Sequence, residues 1–468
     1  MNSAGVRRRR ELKQKEQNGQ SIPRRKKKTS SGSSSLRQSL ICLLVSGVTF
    51  TVFMFMYVDY IPWHLHHRAI DNIVKVFGYY KPVHAVVIDA GSTGSRVLAF
   101  TFHQAYLDGH LILDKELFVY TKPGLSSYAD NPEAGAATIA SLIEKAKDEI
   151  PEQYWSKTPL ILKATAGLRL LPQEKAEGLL NAVNDLFNRT PFLTDHKSVA
   201  IMDGTDEGIF SWFTVNFLLE LFNYSPVRTV AALDLGGGST QITFFPTTPS
   251  SLAEKQFIHD AVTPVGKLPV YTHSYLGLGL MAARKAMITL NQPNKTEVES
   301  ECVNTLVKNR KFHYTGVDYY VSGPTDYLTT IVPGDKLTLP EEVPIVDFKQ
   351  CSYDMERYVK SIAKPPVELP EKKIYAFSYY FDRAAEIGLI DESTGGKVKV
   401  VDFKNAAKKV CNEANVDQPF MCLDLTFIWI LLEKGFGLRP DTTVFLYKKI
   451  LGHEISWALG SAYFLLQG

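Results

Sequence analysis

The chain has 468 residues, 45% of them hydrophobic, which is enough to bury a large core in two domains or one two-lobed unit. Its net charge of +3 is unevenly distributed: residues 1–37 hold 12 Lys or Arg and 2 acidic residues, so the totals of 52 and 49 leave 40 basic and 47 acidic residues elsewhere. This acidic main body excludes a basic nucleic-acid-binding domain, and no nucleic-acid partner is expected.

The N-terminal region predicts a membrane anchor. Residues 1–38 are basic and rich in serine, which favours a disordered tail. Residues 39–58 carry no charge and are mostly apolar, and a run of 20 residues matches a hydrocarbon core of about 30 Å. A cleaved signal peptide has a shorter apolar core, about 7–15 residues, followed by small residues. We therefore expect a transmembrane signal anchor at 39–58 with a cytosolic tail before it, because basic residues stay on the cytosolic side.

A lumenal stem is then expected at 59–82, and the main body is expected in the secretory lumen or outside the cell. A nuclear localisation signal is the alternative interpretation of the basic tail, but the adjoining apolar span argues against it.

Cysteine usage fits an oxidising compartment. Cys42 lies within the apolar run, and the other four cysteines lie in the body. Four cysteines allow three pairings, of which Cys302–Cys351 and Cys411–Cys422 are the simplest. A zinc site is disfavoured because no C-x-x-C spacing occurs.

Three N-glycosylation sequons occur in the body, at Asn188, Asn223 and Asn294. The first two are followed directly by proline, which we expect to hinder their use. Asn294, in the polar stretch "NQPNKTEVESE", is the glycan candidate.

Strands and helices alternate along the body. Apolar runs separated by turn residues predict strands at 84–91, 95–102 and 110–121. Helical spacing predicts helices at 132–150 and 174–189. Strand, turn and helix follow one another again at 158–172 and at 198–222. A strand then opens the second half of the body at 228–246. This alternation predicts an α/β fold.

An internal repeat organises the body. "DAGSTGSR" begins at Asp89 and "DLGGGSTQ" begins at Asp234, 145 residues later. Both place an aspartate at the end of a predicted strand, followed by a turn of small residues. Two similar units predict two lobes that face each other across a ligand-binding cleft.

The two turns favour phosphate binding. Loops of Gly, Ser and Thr expose backbone N–H groups and let a ligand approach closely. A carboxylate beside a phosphate repels it unless a divalent cation lies between them, so Asp89 and Asp234 are predicted to hold Mg²⁺ or Ca²⁺ through water. One copy alone could be an Asx-capped hairpin, but two corresponding copies argue against that. No Walker A motif occurs. The predicted phosphate-binding residues are Gly91, Ser92, Thr93, Gly94, Gly236, Gly237, Gly238, Ser239 and Thr240.

Three further motifs each permit a structural and a functional interpretation. Thr165, in "KATAGLRLLP", either belongs to the site or ends a strand in a plain turn. Glu207, in "MDGTDEGIFSW", is either the general base that activates water or an acidic residue suited to a helix N-terminus. Tyr379 and Tyr380, in "AFSYYFDRAAEIGLID", either stack on a nucleobase or lie in the core.

These five motifs together, in their order along the chain ("DAGSTGSR", "KATAGLRLLP", "DGTDEG", "DLGGGSTQ" and "FSYYFDRAAEIGLID"), resemble the five conserved regions of the apyrase (GDA1/CD39) family, the ectonucleoside triphosphate diphosphohydrolases. The resemblance extends from about Val83 to the C-terminus. Within the family it is greatest to the type 5 and type 6 enzymes, and "SYLGLGLM" (Ser274–Met281) is part of that similarity.

The resemblance implies two RNase H-like lobes of the actin, Hsp70 and hexokinase type. Lobe I is then expected at 83–225, completed by about 435–468, and lobe II at 226–434. It also implies metal-dependent hydrolysis of terminal nucleotide phosphates by direct attack of water, with UDP and GDP preferred to ATP, and two disulfides. By motif, Glu207 is the expected base and Gln241 orients the water. Ser92 and Ser239 bind phosphate, Asp89, Asp234 and Thr165 belong to the metal–water site, and Tyr379 and Tyr380 match the base-stacking region.

A Golgi or ER membrane protein with a single span is expected, with a secreted form if the stem is cleaved. The oligomeric state is open, with a monomer expected. Three alternative functions share parts of this pattern: a chaperone ATPase of the Hsp70 kind, an exopolyphosphatase-like enzyme and an inactive nucleotide receptor. The chaperone is disfavoured because residues 410–468 are too few for a peptide-binding domain. The exopolyphosphatase lacks the "KATAGLR" and "DGTDEG" pair, and the inactive receptor is disfavoured because all motif residues needed for catalysis are present.

Overall fold

The computed structural model describes residues 32–57, 70, 71, 73–77, 80–107, 109–332 and 341–467. It divides into two units, Met1–Ile70 and Asp71–Gly468. The first unit contains helix α1 (Gly32–Tyr57), on which the side chains of residues 39–54 are exposed. In the part of the chain that the structure describes, no helix has both the length and the apolarity needed to cross a membrane.

The N-terminal predictions extend beyond these residues. Residues 1–31 of the expected tail, residue 58 of the expected anchor and most of the expected stem at 59–82 lie outside the described residues. The tail, the anchor and the stem therefore stay predictions.

The first sheet of the body has five strands in the order β3-β2-β1-β4-β5. Val86, Val87 and Ile88 are fully buried in β1, as is typical of a strand covered on both faces. β1 pairs antiparallel with β2 and parallel with β4. The strands are β1 (Pro82–Ala90), β2 (Ser95–Gln104), β3 (Leu111–Thr121), β4 (Leu160–Ala164) and β5 (Val199–Ile201).

The remaining strands form one large sheet and three small ones. In chain order they are β6 (Ala231–Leu235), β7 (Ser239–Phe244), β8 (Ile258–Thr263), β9 (Gly266–Leu276), β10 (Glu297–Glu299), β11 (Arg310–Tyr314), β12 (Val317–Ser322), β13 (Leu328–Val332), β14 (Glu341–Ile345), β15 (Ile374–Ser378), β16 (Gly396–Lys399), β17 (Thr443–Leu446), β18 (Lys449–Ile450) and β19 (His453–Glu454). The large sheet has seven strands in the order β16-β17-β15-β6-β7-β9-β8.

The two large sheets repeat one arrangement. β6 pairs antiparallel with β7 and parallel with β15, as β1 does with β2 and β4. Asp89 pairs with Arg96 in the first hairpin and Asp234 with Gln241 in the second. The repeat inferred from the sequence is therefore a repeat of backbone structure, and the predicted α/β fold is confirmed.

Helices cover these sheets. They are α2 (Pro132–Glu149), α3 (Glu152–Trp155), α4 (Ala166–Arg169), α5 (Gln173–Phe187), α6 (Gly204–Leu218), α7 (Pro249–Ala253), α8 (Leu280–Ile288), α9 (Phe348–Ile362), α10 (Tyr379–Glu386), α11 (Val400–Cys411), α12 (Met421–Ile430) and α13 (Trp457–Gln467), with a π-helical turn at Leu431–Gly435.

Helix α6 packs against β6, β7 and β9 of the seven-stranded sheet and against α13, which in turn packs against β1 and β2 of the first sheet. Phe213 of α6 lies 4.7 Å from the Tyr463 ring of α13, which also contacts Phe102 of β2 at 6.5 Å between ring centroids. Fully burying an aromatic side chain of this kind contributes roughly 1.5–3 kcal/mol. The first turn of α6, which carries Glu207, is therefore held firmly relative to both sheets.

The segment expected to complete lobe I is divided between the sheets. β17 pairs with β15 and β16 in the seven-stranded sheet, whereas α13 packs against β1 and β2. The end of the chain therefore reaches the first sheet, but the part around β17 belongs to the second.

Both predicted disulfides, Cys302–Cys351 and Cys411–Cys422, are present. Cys42 is free and exposed. Asn294, the predicted glycan acceptor, lies in an exposed turn.

Candidate functional site

Two identical tight turns form the base of the site. Gly91 donates its backbone N–H to the Gly94 carbonyl at 3.0 Å, and Gly236 donates to the Ser239 carbonyl at 3.0 Å. Each turn follows an aspartate by two residues and joins the two strands of a hairpin. The duplicated motif thus encodes the same loop twice.

The two loops come from different sheets and meet closely. A methyl group placed on Gly237 would lie 2.1 Å from the Ser92 Oγ, and one on Gly167 would lie 2.8 Å from the Ser92 Cα. Glycine is therefore required at position 167, where a methyl group would meet backbone atoms, whereas at position 237 a methyl group would force the Ser92 hydroxyl to move. The backbone N–H groups of both loops therefore border one cavity of about 720 Å³.

Asp89 and Asp234 line this cavity and are buried, with 5% and 7% of their surface exposed. Asp89 Oδ2 accepts from Arg96 Nη1 at 2.8 Å. Asp234 Oδ1 accepts from Ser378 Oγ at 2.7 Å, and Oδ2 accepts from Ser211 Oγ at 3.1 Å. Burial raises the pKa of both carboxyl groups, while Arg96 opposes the rise at Asp89 and the two serines oppose it at Asp234.

The carboxylates fit an indirectly held cation. Asp89 Oδ1 is buried and makes no hydrogen bond within the described residues. Those residues contain no group of three or more His, Cys, Asp or Glu that could bind a metal ion directly. Two carboxylates could still hold a hard cation such as Mg²⁺ or Ca²⁺ together with water and substrate oxygens.

Glu207 faces the same cavity from the first turn of α6. Asp203 caps this helix, accepting from the Thr205 N–H at 2.8 Å. The Glu207 carboxylate accepts hydrogen bonds from Gln241 Nε2, at 3.0 Å, and from the Arg169 guanidinium. Burial raises the pKa of Glu207 from 4.5 to about 8; Arg169 opposes this rise, and Asp234 and Asp89 add to it. A carboxyl group with a pKa near neutrality suits a general base.

Gln241 connects this base to the phosphate loop. Its Nε2 also donates to Ser239 Oγ at 2.8 Å and lies 2.9 Å from Ser274 Oγ. Its Oε1 is buried and has no hydrogen-bond partner among the described residues. The amide can therefore accept a hydrogen bond from a water molecule held beside Glu207.

Most of the predicted residues line the cavity. They are Asp89, Gly91, Ser92, Thr93, Thr165, Glu207, Asp234, Gly236, Gly237, Gly238, Ser239 and Tyr379. Gln241 lies just behind them, bonded to Glu207 and Ser239.

Three predicted residues do not face the cavity. Thr240 is fully buried and donates to the Asp234 carbonyl at 2.7 Å, because successive side chains of β7 point to opposite faces. Gly94 serves as the acceptor that closes its turn, and its Cα faces the Tyr120 ring. Tyr380 is fully buried in the core of the second sheet, so it cannot stack on a base; the prediction for it is wrong.

The aromatic wall is wider than predicted. Tyr379 donates its hydroxyl to Thr93 Oγ1 at 3.2 Å, and Phe312, Phe381 and Phe420 line the same cavity. Phe381 lies within the quoted motif, whereas Phe312 and Phe420 come from distant parts of the chain.

Several residues that hydrogen-bond to the carboxylates of the site were not predicted from the sequence. Arg96 and Arg169 lie within the quoted motifs, and the hairpin register alone places Arg96 opposite Asp89. Ser378, which binds Asp234, has a φ of 58°, a strained conformation for a non-glycine residue that often marks functional positions.

A model of the GDA1/CD39 (nucleoside phosphatase) family matches residues 81–468. The chain belongs to this family. Family membership confirms the resemblance seen in the five motifs and identifies the protein as a nucleoside phosphatase.

Two relatives agree with this assignment to the GDA1/CD39 family, and one solved structure shares the fold. The human nucleoside diphosphate phosphatase ENTPD5 is 40% identical over 402 residues, which cover 82% of this chain and 88% of the relative. Rat ectonucleoside triphosphate diphosphohydrolase 6 is 37% identical over 438 residues, covering 88% and 92%. The crystal structure of nucleoside triphosphate hydrolases from Neospora caninum matches with a TM-score of 0.54 at 14% identity, covering 86% and 97%, and supports the fold alone.

Proposed function

We propose that the protein hydrolyses the terminal phosphate of nucleoside diphosphates such as UDP and GDP, and that of triphosphates less well. The name of the human relative, nucleoside diphosphate phosphatase, supports this substrate class. The observation that carries the proposal is the position of Glu207, which borders the same cavity as both phosphate loops and is bonded to Gln241.

The chemistry follows from these residues. Ser92, Ser239 and the backbone N–H groups of the two loops bind the terminal phosphate. Ionised Glu207 takes a proton from a water molecule oriented by Gln241, whose oxygen attacks phosphorus. The phosphoanhydride bond breaks, and its electron pair leaves with the nucleoside monophosphate.

Asp89 and Asp234 are the residues that would hold a divalent cation through water. When bound, Ca²⁺ or Mg²⁺ would neutralise phosphate charge and stabilise the charge that develops during attack. Asp89 Oδ1 supports this assignment, because a buried carboxylate oxygen without a donor is costly unless a cation or water satisfies it.

Phosphate release by the full-length protein in detergent tests the proposal. The substrates are UDP, GDP, ATP and inorganic polyphosphate, each with Ca²⁺ or Mg²⁺. We expect the diphosphates to be hydrolysed fastest. Release from polyphosphate alone would favour the exopolyphosphatase alternative, and no release from any substrate would favour the inactive receptor.

We also propose a single-span Golgi or ER membrane protein whose body lies in the lumen, glycosylated at Asn294. The uncharged run at 39–58, the preceding basic residues, the two disulfides and the exposed sequon support this proposal. Cleavage in the stem at 59–82 would release a secreted form. Selective permeabilisation followed by protease treatment tests the orientation: protection of the body by intact membranes is expected.

A further inference from the structure

An exposed apolar patch lies where the chain enters the body. It consists of Ile73, Val76, Phe77, Tyr106 and Leu107, which are between 46% and 84% exposed. The first three belong to a short helical segment that precedes β1, and the last two lie in the turn between β2 and β3. Exposed apolar residues that occur singly are ordinary, whereas a group of them in one place marks a surface that contacts something else.

Hydrogen bonds hold the two parts of the apolar patch together. Tyr106 N donates to Asp71 Oδ1 at 2.8 Å, so the start of the helical segment lies against the β2–β3 turn. Lys75 Nζ lies 3.4 Å from Asp114 Oδ1 of β3, and the Tyr80 hydroxyl donates to Asp114 Oδ2 at 3.0 Å. The segment is therefore attached to the β2–β3 hairpin at its start, in its middle and just after its end.

The polarity of the helical segment is the reverse of that of an ordinary surface helix. Its sheet-facing side carries Asp71 and Lys75, which make the polar contacts with the hairpin. Ile73, Val76 and Phe77 have the i, i+3 and i+4 spacing of one helix face, and this face points to the outside. On a soluble protein an apolar stripe of this spacing normally packs against the core. The outward stripe therefore indicates a further apolar surface beside the body.

A lipid bilayer is an apolar surface within reach of the apolar patch. Residues 59–70 separate the expected anchor at 39–58 from Asp71, and a fully extended chain of this length spans at most about 45 Å. Val76 and Phe77, at 84% and 73% exposed, project from the protein surface. Projecting side chains can enter the flat, fluid surface of a bilayer without a matching pocket.

The cavity lies at the opposite end of the first sheet from the apolar patch. β1 begins at Pro82, just after the helical segment, and Pro82 pairs with His103, close to the β2–β3 turn. Asp89, which lines the cavity, lies seven residues further along β1. At about 3.3 Å per residue, this part of the strand is about 23 Å long. A body that contacts lipid through the patch therefore has its cavity directed away from the membrane.

We propose that the apolar patch lies in the interface of a phospholipid bilayer and orients the body, so that the cavity faces away from the membrane. The five apolar side chains enter the region between the headgroups and the acyl chains, where burial of apolar surface stabilises the contact. This inference goes beyond the proposed hydrolysis of nucleotides and rests on the proposed membrane anchor at 39–58.

Spin labels on the full-length protein in phosphatidylcholine nanodiscs test the proposal. Val76→Cys, Phe77→Cys and Tyr106→Cys are each made in a Cys42→Ser background, in which the other four cysteines form the two disulfides. Oxygen concentrates in the bilayer, whereas nickel ethylenediaminediacetate stays in water, so the ratio of their accessibilities to the label reports immersion in lipid. The control is Val265→Cys, 54% exposed in the turn between β8 and β9. We expect the ratio to be several-fold higher at each patch position than at the control.

A triple variant gives a second measurement. Ile73→Ser, Val76→Ser and Phe77→Ser together remove the outward stripe and keep the polar contacts of the segment with the hairpin. The oxygen-to-nickel ratio at Tyr106→Cys should then fall several-fold, because the label is no longer held in lipid. Phosphate release should stay unchanged, because the substituted residues lie outside the cavity lining. Val265→Ser, which removes an exposed apolar side chain elsewhere, should change neither measurement.

Equal ratios at the patch positions and at Val265→Cys would overturn the proposal. Coverage of the apolar patch by a second copy of the chain would overturn it too. That arrangement would broaden the spectra of the patch labels through spin–spin interaction, and the broadening would disappear when labelled protein is diluted with unlabelled protein. Neither result would affect the proposed hydrolysis of nucleotides.

Alkaline carbonate extraction of membranes tests the anchor separately. A chain that resists extraction but has water-exposed patch labels would keep the anchor and overturn only the present inference. Extraction of the chain would overturn the anchor. The patch is then tested by flotation of the purified chain with phosphatidylcholine vesicles: flotation that the triple variant loses would support the inference, and no flotation would overturn it.

Discussion

Replacing Glu207 with Gln should abolish turnover and should stabilise the folded protein at alkaline pH. The glutamine amide is nearly the same size and can still accept a hydrogen bond from the Arg169 guanidinium. It mimics the protonated, uncharged form of the Glu207 carboxyl group. It cannot take a proton from water, and loss of a general base typically lowers the rate by about 10²–10⁴-fold.

The stability effect follows from the raised pKa. The pKa of Glu207 is about 8 in the folded state, against 4.5 without the protein environment, so the folded state binds this proton more tightly than the unfolded state. The protonated Glu207 carboxyl group therefore adds to the free energy of unfolding of the wild type, and this contribution is lost as the pH rises from about 4.5 to about 8. Since one pKa unit corresponds to about 1.4 kcal/mol, the loss approaches about 4 kcal/mol at pH 8. The Gln variant does not ionise and escapes this loss.

Two assays check these effects. Phosphate release from UDP should be almost absent in the variant, whereas wild-type kcat/KM should rise as the pH approaches 8 and Glu207 becomes ionised. Urea unfolding in chelator should show a stability gain for the variant that is small at pH 4.5 and large at pH 8. Glu174→Gln, on an exposed side chain outside the cavity lining, is the control. More than about a tenth of wild-type turnover, or a gain that does not change with pH, would refute the reasoning.

Three other predictions concern the metal, the loops and the disulfides. Chelation should stop phosphate release, because two buried carboxylates lie beside the phosphate loops, and full activity in EDTA would argue against a cation. Gly237→Ala should reduce kcat/KM, because its methyl group would lie 2.1 Å from Ser92 Oγ and would displace that phosphate-binding hydroxyl, and an unchanged kcat/KM would argue against this role of Ser92. Reduction should lower the melting temperature, since each disulfide typically contributes about 2–4 kcal/mol, and an unchanged melting curve would contradict this.

The sequence predicted those parts of the site that short motifs encode locally. A turn that follows an apolar strand fixes the positions of Asp89 and Gly91 without help from the rest of the chain, and the second copy does the same for Asp234 and Gly236. Glu207 was placed correctly because its helix begins within its own motif.

Residues whose roles depend on distant contacts could not be found in this way. Phe420 lines the cavity only because α12, which it precedes, packs beside α8 and α10, and no local pattern indicates that packing. The prediction for Tyr380 failed because α10 lies against the second sheet: Tyr380 is fully buried in that core, whereas Tyr379 lines the cavity.

The close approach of Ser92 and Gly237 has a consequence for how the protein folds and how that folding can be followed. Each loop alone is only a short hairpin turn, and the contact between the two needs both sheets to be in place. Neither half of the body expressed alone should therefore release phosphate, whereas recovery of phosphate release during refolding should coincide with the last step of assembly. Turnover is in this sense a direct readout of the complete native structure.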